Sequence, residues 1–66
     1  MDNVELISLP EVKKHTGLGR TKIYSLINSK EFPAPIKLSP RASRWVKSEV
    51  LSWVHQRIHD SRKAPQ

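Results

Sequence analysis

Residues 17–27 read GLGRTKIYSLI, a tight turn with two glycines running into the start of a helix. Gly17 suits the left-handed position that ends a preceding helix, and Leu18 and Ile23 stand where a hydrophobic staple would bracket Gly19 as the next N-cap. Ile23, Leu26 and Ile27 then repeat at i, i+3 and i+4, which gives one narrow apolar stripe and predicts a helix from Arg20 to Ser29 or Lys30. The charges of its first turn are on the wrong side of the ledger for an isolated helix. Free N–H groups and the positive end of the macrodipole gather there, so carboxylates belong and cations are mildly unfavourable. This helix opens instead with Arg20, Thr21 and Lys22.

Upstream, Ser8-Leu9-Pro10-Glu11 has the pattern of a capping box, with Ile7 and Val12 as its staple and Pro10 where a missing N–H costs nothing. A short first helix over Leu9–Thr16 follows, and residues 1–7 read as an arm or strand ending in Leu6 and Ile7. Downstream, EFPAP at 31–35 is barred from helix by its prolines. Ile36-Lys37-Leu38, a type I turn at Ser39-Pro40-Arg41-Ala42 and Ser43-Arg44-Trp45 make a small hairpin, with Trp45 and Leu38 turned toward the helices and Arg44 outward. Ser48 and Glu49 open a third helix, in which Val50, Leu51, Trp53, Val54, Arg57 and Ile58 keep helical spacing until about Asp60.

The order predicts a mainly α fold with a small β-hairpin, a winged helix-turn-helix. It would be a single domain over residues 1–60, with 61–66 as a disordered C-terminal tail. Cysteine is absent, so disulfides and thiolate metal sites are excluded. The N-terminus has no basic region before an apolar stretch, and no apolar run approaches membrane-spanning length. A cytoplasmic setting follows as the expectation.

Net charge is +6, and between Lys13 and Lys47 nine cations face a single acid, Glu31. Such density points to a polyanionic partner, since each neutralised phosphate releases condensed counterions. Double-stranded DNA is the polyanion that resolves the misplaced cations. A recognition helix meets the major groove with its N-terminal end, where phosphates and base edges find the dipole, the free N–H groups and Arg20 and Lys22 together. Arg20 is the candidate for bidentate guanine contact or for a phosphate clamp; Thr21, Tyr24, Ser25 and Asn28 supply shorter-range donors and acceptors. Lys37, Arg41 and Arg44 form the wing's set, with Arg41 suited to the minor groove and Arg44 to DNA or to stacking on Trp45 or Trp53.

Other chemistries lack their parts. GLGRTK has no third glycine and no preceding strand, so it is no dinucleotide loop. His55 and His59 lie one helical turn apart without an assured third ligand, and His15 suits a helix C-terminus. No nucleophile stands with a base and oxyanion donors. The sequence predicts a non-enzyme without cofactor or metal.

The stretch from ISLPEV at residue 7 to VHQR ending at residue 57 resembles the AlpA-type prophage regulators, within the MerR-like winged-helix and excisionase group. The resemblance rests on L-P-E-V, T-G-L-x-R-x-x-I-Y, F-P-x-P-x-K-L, R-x-x-x-W and S-E-V-x-x-W, all in register. It implies a DNA-binding protein of a bacterial prophage or genomic island, acting as a transcriptional regulator of integrase genes or as a recombination directionality factor. A phage-type integrase and cooperative self-association on DNA are the partners it implies, with the protein on the nucleoid when bound. By the same resemblance, Arg20, Thr21 and Tyr24 fall in the recognition helix, and Lys37, Arg41 and Arg44 in the wing. Gly19 departs from the family, where serine is frequent. The competing reading is a protein-interaction module whose basic face docks on an acidic partner.

Overall fold

Apolar residues spaced along the chain decide the architecture, because each element but one contributes a single fully or nearly fully buried side chain. In the computed structural model, which describes residues 4–63, the order is β1 (Leu6–Ile7), α1 (Leu9–Thr16), α2 (Arg20–Asn28), β2 (Ile36–Ser39), β3 (Ala42–Val46) and α3 (Lys47–Lys63). Ile7 of β1, Val12 of α1, Ile23 of α2, Phe32 of the α2–β2 connection, Trp45 of β3 and Val50 of α3 make the core. Leu9, Leu18, Tyr24, Leu26, Ile27 and Trp53 pack around it, half-buried. The exception is β2, all of whose residues are exposed.

Both staples form, since Ile7, Val12 and Ile23 are at most 1% exposed and Leu18 packs beside them. Gly17 closes α1 in the left-handed conformation (φ 74°), its N–H donating to Lys13 O at 2.7 Å. Thr16 tightens the same turn: its hydroxyl donates to Val12 O at 2.8 Å and accepts from Leu18 N–H at 3.2 Å. The capping box expected at Ser8 does not form. Ser8 is the N-cap, but its side chain makes no capping bond. Pro10 has already removed one of the donors a cap would serve, and the exposed Glu11 complements the dipole in the first turn.

The three strands form one antiparallel sheet in the order β1-β3-β2. Leu6 pairs with Val46 and Ile7 with Trp45, so the N-terminal segment shields the side of the hairpin strand that carries the large indole. This pairing also starts α3. Lys47 N–H donates to Glu5 O at 2.8 Å, continuing the ladder, so the helix begins at Lys47 without a serine cap and Ser48 lies inside its first turn.

The hairpin differs from expectation in one residue. Ile36 faces Arg44 and Lys37 faces Ser43, but Ser39 faces Ala42, leaving Leu38 as an unpaired extra residue. Turns of type I splay a hairpin, and a bulge restores its twist; Pro40 and Arg41 both have negative φ, as type I requires. Cross-strand partners share a face, so Ile36 lies with Arg44 on the side away from Trp45, and Leu38 is 57% exposed. Leu38 therefore does not lean on the helices, and Trp45 carries that contact alone.

At its other end, α3 runs past Asp60 to Lys63, so residues 61–63 of the expected tail are helical; residues 64–66 lie outside those described. Nothing in the sequence breaks the helix before Pro65, Gln56 donates to the Asp60 carboxylate at 3.0 Å, and Arg62 and Lys63 complement the last turn. The apolar stripe expected along α3 is buried only in its first half, since Ile58 is 43% exposed.

Helix α2 ends in a Schellman motif: Lys30 N–H donates to Ile27 O at 3.0 Å and Glu31 N–H to Leu26 O at 2.8 Å. The left-handed residue is Lys30 (φ 63°), where glycine would sit without steric cost. Lys30→Gly is expected to raise unfolding free energy by about 0.5–1 kcal/mol in urea denaturation. A loss of stability would show that the Lys30 side chain contributes more than its backbone strain.

Candidate nucleic-acid interface

The amino end of α2 is built to leave its donors open. Its N-cap is Gly19, in extended backbone (φ −82°), so no side chain satisfies the first-turn N–H groups, and no acid stands in that turn. Gly19, Arg20, Thr21 and Lys22 are all exposed. A Cβ at position 19 would meet nothing within 4 Å, so a serine would fit here. Its absence leaves the anchoring of an anion to backbone N–H groups and the flanking cations.

Arg20 is held toward the hairpin. Its guanidinium lies over the Tyr24 ring, 5.7 Å from the centroid, one helical turn away. Tyr24 in turn meets Trp45 edge-on, with centroids 6.2 Å apart and planes at 65°. Tyr24 is thus half-buried and belongs to the structure as much as to the polar face; of the residues expected on that face, Thr21, Ser25 and Asn28 are exposed. The stack Arg20–Tyr24–Trp45 runs from the open end of α2 to the central strand of the wing.

On the hairpin, Ser43 lies two residues from Trp45 and so on the same face, and Lys37 pairs with Ser43. Lys37 therefore stands on the side of the sheet that meets α2. Arg41 is exposed in the two-residue loop between β2 and β3. Arg44 is on the opposite face, and its Nη1 donates to Ser43 O at 2.9 Å. It stacks on neither tryptophan: Trp45 meets Tyr24, and Trp53 is covered by Arg57, 4.8 Å from its ring centroid. Lys22 and Ser25 border a second feature, a groove between α2 and α3.

Among the described residues the two ion pairs are Lys47–Glu5 at 3.6 Å and Arg57–Glu31 at 3.8 Å. Neither involves Arg20, Lys22, Lys37, Arg41 or Arg44. Those five cations stay uncompensated on the surface, which is costly only until an anion arrives. Sequence reading placed Arg57 within the inward stripe of α3 and missed its stacking on Trp53; the i, i+4 spacing of the two residues was the available signal.

An open helix terminus packed against a small sheet through an aromatic stack, behind a tight turn from a preceding helix, is the arrangement of a winged helix-turn-helix. Residues 5–58 match the family model described as prophage CP4-57 regulatory protein (AlpA). This chain belongs to that AlpA family. A phage relative, uncharacterized protein ORF88 of Enterobacteria phage P4, is 40% identical over 52 residues, covering 79% of this chain and 59% of its own. The chain thus spans about three-fifths of that relative's length. A bacterial relative, the DNA-binding transcriptional activator AlpA of Escherichia coli (strain K12), is 32% identical over 60 residues, covering 82% of this chain and 86% of its own. No solved structure matches. Among the described residues, no helix is long and apolar enough to cross a membrane.

The two faces of the sheet make separable expectations for this AlpA-family chain. Lys37→Ala and Arg41→Ala should each weaken duplex binding by about 1 kcal/mol and flatten its salt dependence by about one phosphate contact. Arg44→Ala should do less than half as much. Titration of labelled duplex at several salt concentrations reads the difference, and an equal or larger effect of Arg44→Ala would place the wing's other face against DNA.

Proposed function

We propose that this protein is a sequence-specific binder of double-stranded DNA that regulates a prophage or genomic island. The amino end of α2 enters the major groove, bringing unsatisfied N–H groups, the helix dipole, Arg20 and Lys22 to phosphates and base edges. Thr21, Tyr24, Ser25 and Asn28 contact bases or backbone, and Lys37 and Arg41 bring the wing to the adjacent backbone or minor groove. The observation that carries the reading is the acid-free, uncapped first turn of α2 with Arg20 braced through Tyr24 against the wing. Family membership and the activator named among its relatives support the same conclusion.

In this reading the protein acts as a recombination directionality factor, as a regulator of integrase expression, or as both. A single module of this size buries only about 600–1,000 Å² against DNA. Cooperative binding of several copies, with a phage-type integrase as the further partner, would supply the affinity and the bending that excision needs. The protein has no catalytic role and takes no cofactor in this scheme, and it works in the cytoplasm on the nucleoid.

Binding to the attachment region and to the integrase promoter tests the proposal, with an excision assay separating its two roles. Log affinity should fall against log salt with a slope of roughly −4 to −5, from about five phosphate contacts. Arg20→Ala should cost about 1–3 kcal/mol at the specific site and relax its sequence preference if Arg20 reads a base, and should weaken binding to all duplexes alike with a salt slope lower by about one if it clamps phosphate. No duplex binding at moderate salt would overturn the proposal in favour of an acidic protein partner for the basic face. Operator binding without any increase in integrase-dependent excision would leave transcriptional control as the role.

A further inference from the structure

The far half of α3 projects from the core and forms one wall of an open groove of about 840 Å³, whose other wall is α2. Every residue of α3 from His55 to Lys63 is exposed, so this helical stretch packs little against the rest of the fold beyond the Arg57–Glu31 ion pair. Its inner side is mixed, with an apolar strip set among serines and charged side chains. Leu26 of α2 and Val54 and Ile58 of α3 line the groove as an apolar floor beside Trp53. Lys22, Arg57 and Arg62 stand along its length against one carboxylate, Glu31, which Arg57 meets at 3.8 Å.

We infer that this groove receives an amphipathic helical segment of another protein, with an apolar stripe flanked by aspartate or glutamate. The apolar strip of Leu26, Trp53, Val54 and Ile58 suits the nonpolar face of a helix, and the excess of cations beside it complements carboxylates. From Trp53 to Arg62 the wall is about 14 Å long, enough for an occupant of roughly three helical turns. A second copy of this chain is a poor occupant, because its helices carry no acidic face: α2 has no acid, α1 has Glu11, and α3 has Glu49 and Asp60 a long way apart. Lys22 and Ser25 border both the groove and the polar face of α2, so the groove's occupant and the primary partner at the amino end of α2 meet along that edge. The inference does not depend on that primary partner being DNA.

The test uses the full chain, isotope-labelled for NMR, and a synthetic peptide of about 14 residues with leucines on one face and glutamates beside them. Two control peptides keep, in turn, the leucine face with lysines and the glutamates in scrambled order. The expected result is a saturable shift of the Trp53 indole N–H and the Ile58 methyl signals with the acidic amphipathic peptide alone. Ile58→Asp and the double variant Arg57→Glu/Arg62→Glu should each weaken that binding about ten-fold or more. Both variants change exposed positions on the projecting helix, and an unchanged Trp45 indole signal certifies the fold. Duplex affinity should stay within about two-fold for Ile58→Asp, and the salt slope of duplex binding should be unchanged in the double variant, whose altered net charge acts only at long range.

Equal binding of the lysine or scrambled peptide would overturn the inference, as would the absence of any shift at roughly 1 mM peptide. A duplex salt slope that falls by one contact or more with Arg57→Glu/Arg62→Glu would assign the rim to a nucleic acid instead. Self-association abolished by Ile58→Asp would assign the groove to a second copy.

Discussion

Two indole N–H groups hold the short connection between α2 and the wing, and the placement of everything functional depends on them. Trp45 Nε1 donates to Pro33 O at 3.1 Å and Trp53 Nε1 to Glu31 O at 2.6 Å. Between these anchors Phe32 turns into the core, 5% exposed, and meets Trp53 edge-on at 4.8 Å between centroids. The proline-rich segment has few N–H groups of its own and cannot fold into a helix, so its carbonyls accept from side chains on either side. One clamp comes from β3 and the other from α3. Since the segment leaves α2 through the Schellman turn and enters β2, fixing it fixes α2 against the hairpin.

The same tryptophan links structure to electrostatics. Trp45 is fully buried at the centre of the sheet, pairs with Ile7, and presents its edge to Tyr24, on which Arg20 stacks. A cation at a helix N-terminus is unfavourable by only about 0.3–1 kcal/mol when exposed. Burial of one large aromatic side chain contributes several times that, so the fold tolerates the arrangement easily. The penalty is small in the free protein and reverses sign when a polyanion binds. Misplaced charge of this kind is therefore informative about a partner in a way that well-placed charge is not.

Local rules were legible where a residue's own backbone preference or its neighbours within one helical turn decide the outcome. The glycine at 17, the two staples, the apolar stripe of α2 and the proline-led turn at 39–42 are of this type. What could not be read depends on partners distant in sequence. The pairing of β1 with β3 sets the start of α3 at Lys47, and no local signal at Ser48 reveals it. The bulge at Leu38 shifts the hairpin register by one residue, which sends an apolar side chain to solvent and separates Arg44 from Lys37. Phe32 was passed over because a proline-rich stretch reads as a loop, although its neighbours are held by two tryptophans. Within the candidate interface, the residue types were evident from sequence, but the bracing of Arg20 by Tyr24 and the turning of Arg44 onto Ser43 O were not.

In the proposed complex the amino end of α2 and the helix-facing side of the wing meet one duplex together. Backbone amide NMR of the full chain, titrated with a duplex carrying the binding site, tests it most directly. The amides of residues 19–24 and of 37–39 and 41 should shift in the same titration, with one affinity, while those of 55–63 stay in place. Shifts confined to α3, or a wing that remains unperturbed when α2 saturates, would contradict it.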